Sequence, residues 1–481
     1  MNYEFLDYVA CFITGMVILI LELTSFRLFA PYFGNSSYVI GVLINTTLLA
    51  LAIGYLIGGY TADKFKSNKL PYLIILGVDV YLAIIFLFYP NILKAMSTLS
   101  VILGAFLSVT IMFFIPVVFL AFIPPYLIKI LSINKRIGIV SGKIFSISTL
   151  GSIVGGVLTT FVFIPSLGSR FTFLIPIIIL LIIAVIGLIR LNKLFLLCTF
   201  LLIIPLISKP KLTNSQIIFQ TESGYNTIYV VNDSKSLFLK LNNNEGFHSK
   251  SIDPKTGLTN SLYDYFLIPQ ILINANQTLV LGNGAGTMMS QISYFFDTHI
   301  DGVEIDPKLT EIGKDYFGLD LTNDKLGIFY EDARTFLIKN NKKYDIINID
   351  IYSGSAYVPF HVVTVEFFKL VNESLNEGGV LVINMPHYSI GTPLGHHYLN
   401  TVTKVFPNSY IYGHILYAFK SNIDKSTIIK KFEDTKTSNA LDGVIKKFLS
   451  GFKNVDLQSF NDIFLDDFAP IEKMTFDIKK E

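Results

Sequence analysis

Over the first two hundred positions apolar residues come in blocks with few polar interruptions. A helix that crosses a bilayer needs about 20 such residues. Six runs approach or exceed that length: Val9–Ala30, Val39–Tyr60, Tyr72–Tyr89, Val101–Phe122, Ile144–Phe163 and Phe171–Ile189. They predict six full spans. A seventh run, "LFLLCTFLLIIPLI" (Leu194–Ile207), is shorter. At this rise per residue it reaches about 21 Å, against a hydrocarbon core of about 30 Å. Pro205 shortens its regular part further. The run is expected to lie at the interface or insert partly.

The pattern changes at Ile217. Through Leu241, β-forming residues alternate with polar ones, with turn signals at Glu222–Gly224 and Asn232–Lys235. This predicts a small antiparallel sheet. From Thr278 to Met385, short strands alternate with helices: "TLVLGNG", "TMMSQISYFF", "HIDGVEID", "PKLTEIGKDYF", "LGIFYEDA", "RTFLIKNN", "KYDIINIDIYS", "TVEFFKLVNESLN" and "GGVLVINMP". Such alternation predicts a doubly wound, Rossmann-like parallel sheet. The expected organisation is a multi-pass helical domain (1–210), a small β subdomain with connector (211–277) and a nucleotide-binding α/β domain (278–481).

Composition sharpens this division. The chain is 52% hydrophobic and 15% charged, with mean hydropathy +0.55, outside the range of soluble domains. A net charge of +2 gives no footprint for nucleic acid. Cys11 and Cys198 both sit in apolar runs without metal-ligand spacing, so neither a disulfide framework nor a metal site is expected. The first run is too long for a cleavable signal, carries Glu22 and precedes no small-residue cleavage site. Positive charge concentrates in Ala62–Lys69 and Ile128–Lys143. Both loops, and with them the N-terminus, are therefore expected in the cytoplasm. The C-terminal domain joins them there if Leu194–Ile207 does not cross. Glu22, Arg27 and Asp79 are ionisable groups at membrane depth, which either line a pathway or lock helices together. Small residues in Gly54–Lys69 and Ser148–Gly168 suit close helix packing.

In doubly wound sheets, ligands bind beyond the carboxyl ends of the strands. Gly282, Gly284 and Gly286 follow the first predicted strand. Glu304 ends the second, 18 residues after Gly286, where an acid can accept ribose hydroxyls. Asp332 and Ala333 follow the third strand, and Asp350 ends the fourth. Singly, each acid could be a helix cap; together they predict a nucleoside pocket. Gly286 is followed by Thr287, Met288 and Met289, which departs from the dinucleotide pattern G-x-G-x-x-G. Acids after strands three and four suit a cationic adenosyl sulfonium instead.

The segments "LVLGNGAGTMMSQI", "VEIDPKL", "YEDARTFL", "YDIINIDIYSG" and "GGVLVIN", in this order, resemble the spermidine synthase family of aminopropyltransferases. "ILELTSFRLFAPYFGNSSY" and "TLGSIVGGVLTTFVFIPSLG" resemble its membrane-fused branch. The resemblance implies a transfer of an aminopropyl group from decarboxylated S-adenosylmethionine to an amine such as putrescine, with no tightly bound cofactor. It implies that Gly282, Gly284 and Gly286 line the thioadenosine site, that Glu304 holds the ribose and that Asp332 and Ala333 contact the adenine. Asp350 matches the acid that takes the proton of the attacking amine. Tyr225, Tyr263 and Tyr352 fall on the substrate side.

Three positions depart from the family pattern: Ser353 replaces a second acid, Thr259 a donor-side carboxylate, and Asn226 a glycine. S-adenosylmethionine-dependent methyl transfer on the same scaffold therefore stays open, as does a transporter or sensor with a regulatory nucleotide fold. His361 is a candidate for the crevice rim, or a loop histidine with a structural bond. The expected partners are an amine, the bilayer and, as an open alternative, a second copy of the chain.

Overall fold

The computed structural model describes residues 3–133, 135–189, 216–233, 235–242, 246–352, 358–435, 437–455 and 462–478. The chain divides into two compact units: Met1–Thr213 with Glu222–Gly224, and Asn214–Thr221 with Tyr225–Glu481. The expected boundary at 210, the run Leu194–Ile207 with Cys198, and Ser353 lie outside the described residues.

The first unit is helical: α1 (Tyr3–Phe33), α2 (Ser37–Lys64), α3 (Leu70–Met96), then the stretches Val101–Leu131 and Ile137–Leu188. Among the described residues, these are the five helical stretches long and apolar enough to cross a membrane. The last one breaks at Gly168 (φ 76°, ψ 169°), and its two sides match the fifth and sixth expected runs. Both small-residue stretches prove to be packing faces. A Cβ at Gly151 would lie 2.0 Å from the Phe12 carbonyl oxygen, and one at Gly54 would lie 2.3 Å from that of Val118. Only a missing side chain lets the backbones come so close. Lys129 lies 2.6 Å from Asp63, Lys135 pairs with Glu4, and the Tyr126 hydroxyl donates to the Phe65 carbonyl at 2.9 Å. The N-terminus and both lysine-rich loops thus share one end of the helical unit, as their common charge predicted. Asp79, on α3, is fully buried, and neither carboxylate oxygen has a hydrogen-bond partner among the described residues.

The second unit holds two sheets. The smaller has four strands in the order β1 (Ile217–Glu222), β2 (Thr227–Asn232), β3 (Leu237–Leu241), β4 (Ser249–Lys250). The pairs β2–β3 and β3–β4 are antiparallel. The larger sheet is built from β5 (Gln277–Leu281), β6 (His299–Val303), β7 (Leu326–Phe329), β8 (Tyr344–Ile349), β9 (Leu375–Asn384), β10 (Asn408–Tyr412), β11 (Ile415–Phe419) and β12 (Lys453–Asn454). Its order is β12-β10-β11-β9-β8-β5-β6-β7. Strands β5 to β9 pair in parallel, as expected. The far edge, β11, β10 and β12, is antiparallel. That edge corrects the purely parallel expectation, which stopped at Met385.

Alternation along each strand feeds two cores. Val280, Ile346 and Val382 pack with Ile292 and Phe448 on one face. Leu281, Ile347 and Ile383 pack with Phe336 and Phe367 on the other. Burial on both sides is why these strands read as near-continuous apolar runs. Each such side chain contributes about 1.5–3 kcal/mol when fully buried. The chain runs outward from β5 to β7, then returns to β8 on the other side of β5, so the winding reverses between β5 and β8. A crevice at that reversal is where such folds place ligands.

Candidate active site

The turn after β5 needs its glycines. Gly282, Gly284 and Gly286 have φ of 83°, 55° and 80°, a region costly for other residues. A Cβ at Gly282 would lie 2.3 Å from the carbonyl oxygen of Asp350, so this glycine lets the turn approach the end of β8. Gly286 begins the helix Thr287–Phe295 and faces Leu319.

Glu304, one residue past β6, is buried and fixed from both sides. Its Oε2 accepts from Gly284 N at 2.8 Å and its Oε1 from Asp306 N at 3.1 Å. Burial pushes its carboxyl up to about 7, against the pull of those N–H groups. The Ile305 N–H is a third donor in reach, which leaves one acceptor position for a hydroxyl. Asp306 caps the helix Pro307–Tyr316 and accepts from Asn226 Nδ2 at 3.4 Å. Asn226, at the family's glycine position, therefore ties the β1–β2 turn to the end of β6. Tyr225 precedes it and is 45% exposed.

Asp332 does two things. Its Oδ1 caps the helix Ala333–Lys339 through Arg334 N and Thr335 N, both at 3.0 Å, so the cap role holds. Its Oδ2 lies 2.9 Å from His361 Nε2. The caps and His361 pull the carboxyl below its usual range although burial opposes them. Ala333 is buried beside it.

Asp350 follows β8. Its backbone N–H donates to Leu281 O at 2.9 Å, which fixes it across from the glycine turn. Asn384 Nδ2 donates to Asp350 Oδ1 at 2.8 Å, and the Tyr263 hydroxyl is within hydrogen-bond reach. Burial outweighs both and raises the Asp350 carboxyl to about 6. Tyr263 is buried, and its single hydroxyl proton faces two acceptors, Asp350 and the His248 carbonyl at 2.8 Å. Tyr352 donates to the Asn384 carbonyl at 2.9 Å. Asp350, Tyr263 and Tyr352 thus meet at one strand end, around an asparagine that no sequence signal singled out.

Thr259, where a carboxylate was expected, donates through both N and Oγ1 to Asp264 Oδ1 at 2.8 and 2.7 Å. A cavity of about 770 Å³ touches Thr259, Lys250 and Asp253 but none of the strand-end residues. Among the described residues, no three His, Cys, Asp or Glu side chains are grouped to hold a metal ion.

These features define a doubly wound α/β fold with its polar side chains gathered at the reversal of strand order. Residues 267–439 match the spermine/spermidine synthase domain. The chain is 36% identical over 197 residues to the "Probable polyamine aminopropyl transferase" of Bifidobacterium longum, a match covering 40% of this chain and 43% of that protein. It is 22% identical over 404 residues to polyamine aminopropyltransferase 2 of Aquifex aeolicus, covering 77% of each. These relatives are transferases. The spermidine synthase structure of Thermotoga maritima is 19% identical, covers 49% of this chain and 88% of its own, and superposes with a TM-score of 0.36.

Proposed function

We propose that this chain is a membrane-anchored aminopropyltransferase that uses decarboxylated S-adenosylmethionine and an amine acceptor. One observation carries the reading: half-buried Asp350 follows β8 at the strand-order reversal, with its backbone carbonyl against Gly282 of the glycine turn. In this reading Glu304 holds the ribose, Asp332 and Ala333 flank the adenine, and Gly282, Gly284 and Gly286 admit the thioadenosine. Tyr225, Tyr263 and Tyr352 face the acceptor.

An amine is cationic at neutral pH and has no free lone pair. Asp350, with a carboxyl near 6, is ionised there and can take that proton. The freed lone pair attacks the propyl carbon and the C–N bond forms. The C–S bond breaks with its electron pair going to sulfur, leaving a neutral thioether. The sulfonium is already a good leaving group, so positioning supplies much of the rate.

Thr259 supports a second reading, methyl transfer from S-adenosylmethionine, because a hydroxyl bonded to Asp264 stands where a donor carboxylate was expected. Calorimetry on the full chain in detergent separates the two. Tighter binding of the decarboxylated donor supports aminopropyl transfer, and tighter binding of S-adenosylmethionine supports methyl transfer. The five long apolar stretches support the anchor, and the shared end of the lysine-rich loops supports a cytoplasmic face there. The catalytic unit should share that compartment, where the donor is made. With Cys11 and Cys198 replaced, Ser67→Cys and Ser438→Cys should both resist an impermeant thiol reagent in intact cells. Labelling of Ser438→Cys alone would place that unit outside.

A further inference from the structure

The match to the family domain ends at residue 439, and the described chain continues to Ile478. Part of that continuation returns to Asp332. Asp466 lies in a turn closed by Leu465 and Phe468, which bridge each other. Its Oδ1 accepts from Arg334 Nη1 at 2.6 Å and from Thr364 Oγ1 at 2.7 Å, and its Oδ2 accepts from Arg334 Nη2. Its N–H donates to Glu366 Oε2 at 3.1 Å, and the Val365 N–H donates to Phe464 O at 2.9 Å. A lone surface ion pair contributes little, but a two-pronged arginine–carboxylate pair within a network fixes geometry.

The group held by this network is His361. Arg334 is the second residue of the helix Ala333–Lys339, and its Nη1 also donates to the His361 carbonyl at 3.0 Å. Thr364, three residues further on, is buried and bonded to Asp466. The segment 361–364 is thus fastened at both of its ends, and the His361 ring meets Asp332 Oδ2 at 2.9 Å. Asp332 Oδ1 is taken by the two N–H groups of the helix cap. Oδ2 has one acceptor position besides the one facing His361.

We infer that Asp466 is a positioning residue for the nucleoside half of the donor, acting through Arg334 and His361 to aim Asp332 Oδ2 at the exocyclic amine of the purine. This rests on the reading of Asp332 as the adenine contact, and not on which group is transferred. An ionised carboxylate only accepts, so it favours a base that presents an amine there, as adenine does, over one that presents a carbonyl, as hypoxanthine does. Base selection is then set in part by a segment outside the matched domain.

The test is calorimetry on the full chain in detergent with methylthioadenosine and methylthioinosine, alongside donor KM, kcat and Tm. Wild type should bind the adenine nucleoside about tenfold more tightly, the worth of a hydrogen bond to a charged acceptor. Asp466→Ala should lower that ratio severalfold and raise donor KM by more than it lowers kcat. His361→Ala should lower the ratio by a similar factor, and the double variant by no more than either change alone, because both act through one contact. An unchanged ratio in Asp466→Ala overturns the inference, even where kcat and Tm fall, since a purely structural residue would lose active protein without altering base choice. Losses that add in the double variant overturn it as well. A wild type that binds both nucleosides equally overturns the assignment of Asp332 itself, a failure visible before any variant is made.

Discussion

Glycine does different work in the two units. In the helical unit Gly151 has ordinary helical geometry and is needed for space, because a Cβ would lie 2.0 Å from the Phe12 carbonyl oxygen. In the nucleotide unit Gly282 is needed for space and for its φ of 83° at once, and what it approaches is the carbonyl of the proposed base. One acid of the helical unit contrasts with two of the nucleotide unit. Asp79 has no hydrogen-bond partner among the described residues, whereas Glu304 and Asp350 each hold defined donors. A strand end offers a carboxylate backbone N–H groups and neighbouring side chains, and a helix interior has already used its N–H groups. In the helical unit Asp7 is the buried acid with a defined donor, the Tyr72 hydroxyl at 2.7 Å, so what sets the nucleotide unit apart is that its acids sit at strand ends.

The contrast can be broken most severely at Asp350. Asp350→Asn should lower transfer about 10²–10⁴-fold while donor affinity, measured by calorimetry, changes far less. Survival of turnover would make this acid structural. Gly151→Leu should act oppositely, destabilising the helical unit by about 1–3 kcal/mol through overpacking, seen as a lower Tm in detergent. Glu304→Ala should cost about 1.5–3 kcal/mol of donor binding, the worth of hydrogen bonds to a charged group. With Asp350 near 6, kcat/KM should fall as pH drops through that value, because the protonated acid cannot accept the amine's proton. A flat profile from pH 5 to 8 would remove Asp350 as the titrating base. The smallest effect is a gain: Asn348 is fully buried with both amide atoms unpaired among the described residues. Asn348→Val should raise stability by about 1 kcal/mol by removing that desolvation.

Much of the architecture was written in periodicity. Strands β5 to β9 are buried on both faces and stand out as apolar runs between turns, and their ends then point to Gly282, Glu304, Asp332 and Asp350. The antiparallel edge was missed because β10 to β12 follow Met385, beyond the strand–helix alternation. Asn384 was missed for a different reason. A neutral residue at a strand end has no charge or spacing to mark it, and its meaning arises only when β9 lies beside β8. His361 was visible as a candidate, but its bond to Asp332 depends on a loop that returns from 29 residues away. Asp332 was weighed as either cap or ligand contact, and its two oxygens show why a carboxylate can serve more than one partner.

Product analysis tests the central claim most directly. The full chain in detergent is incubated with decarboxylated S-adenosylmethionine and 1,4-diaminobutane, and the products are read by mass spectrometry. The account predicts an amine heavier by one aminopropyl group together with the neutral thioether nucleoside, both abolished in Asp350→Asn. No such amine, or a methylated product from S-adenosylmethionine in its place, would contradict it.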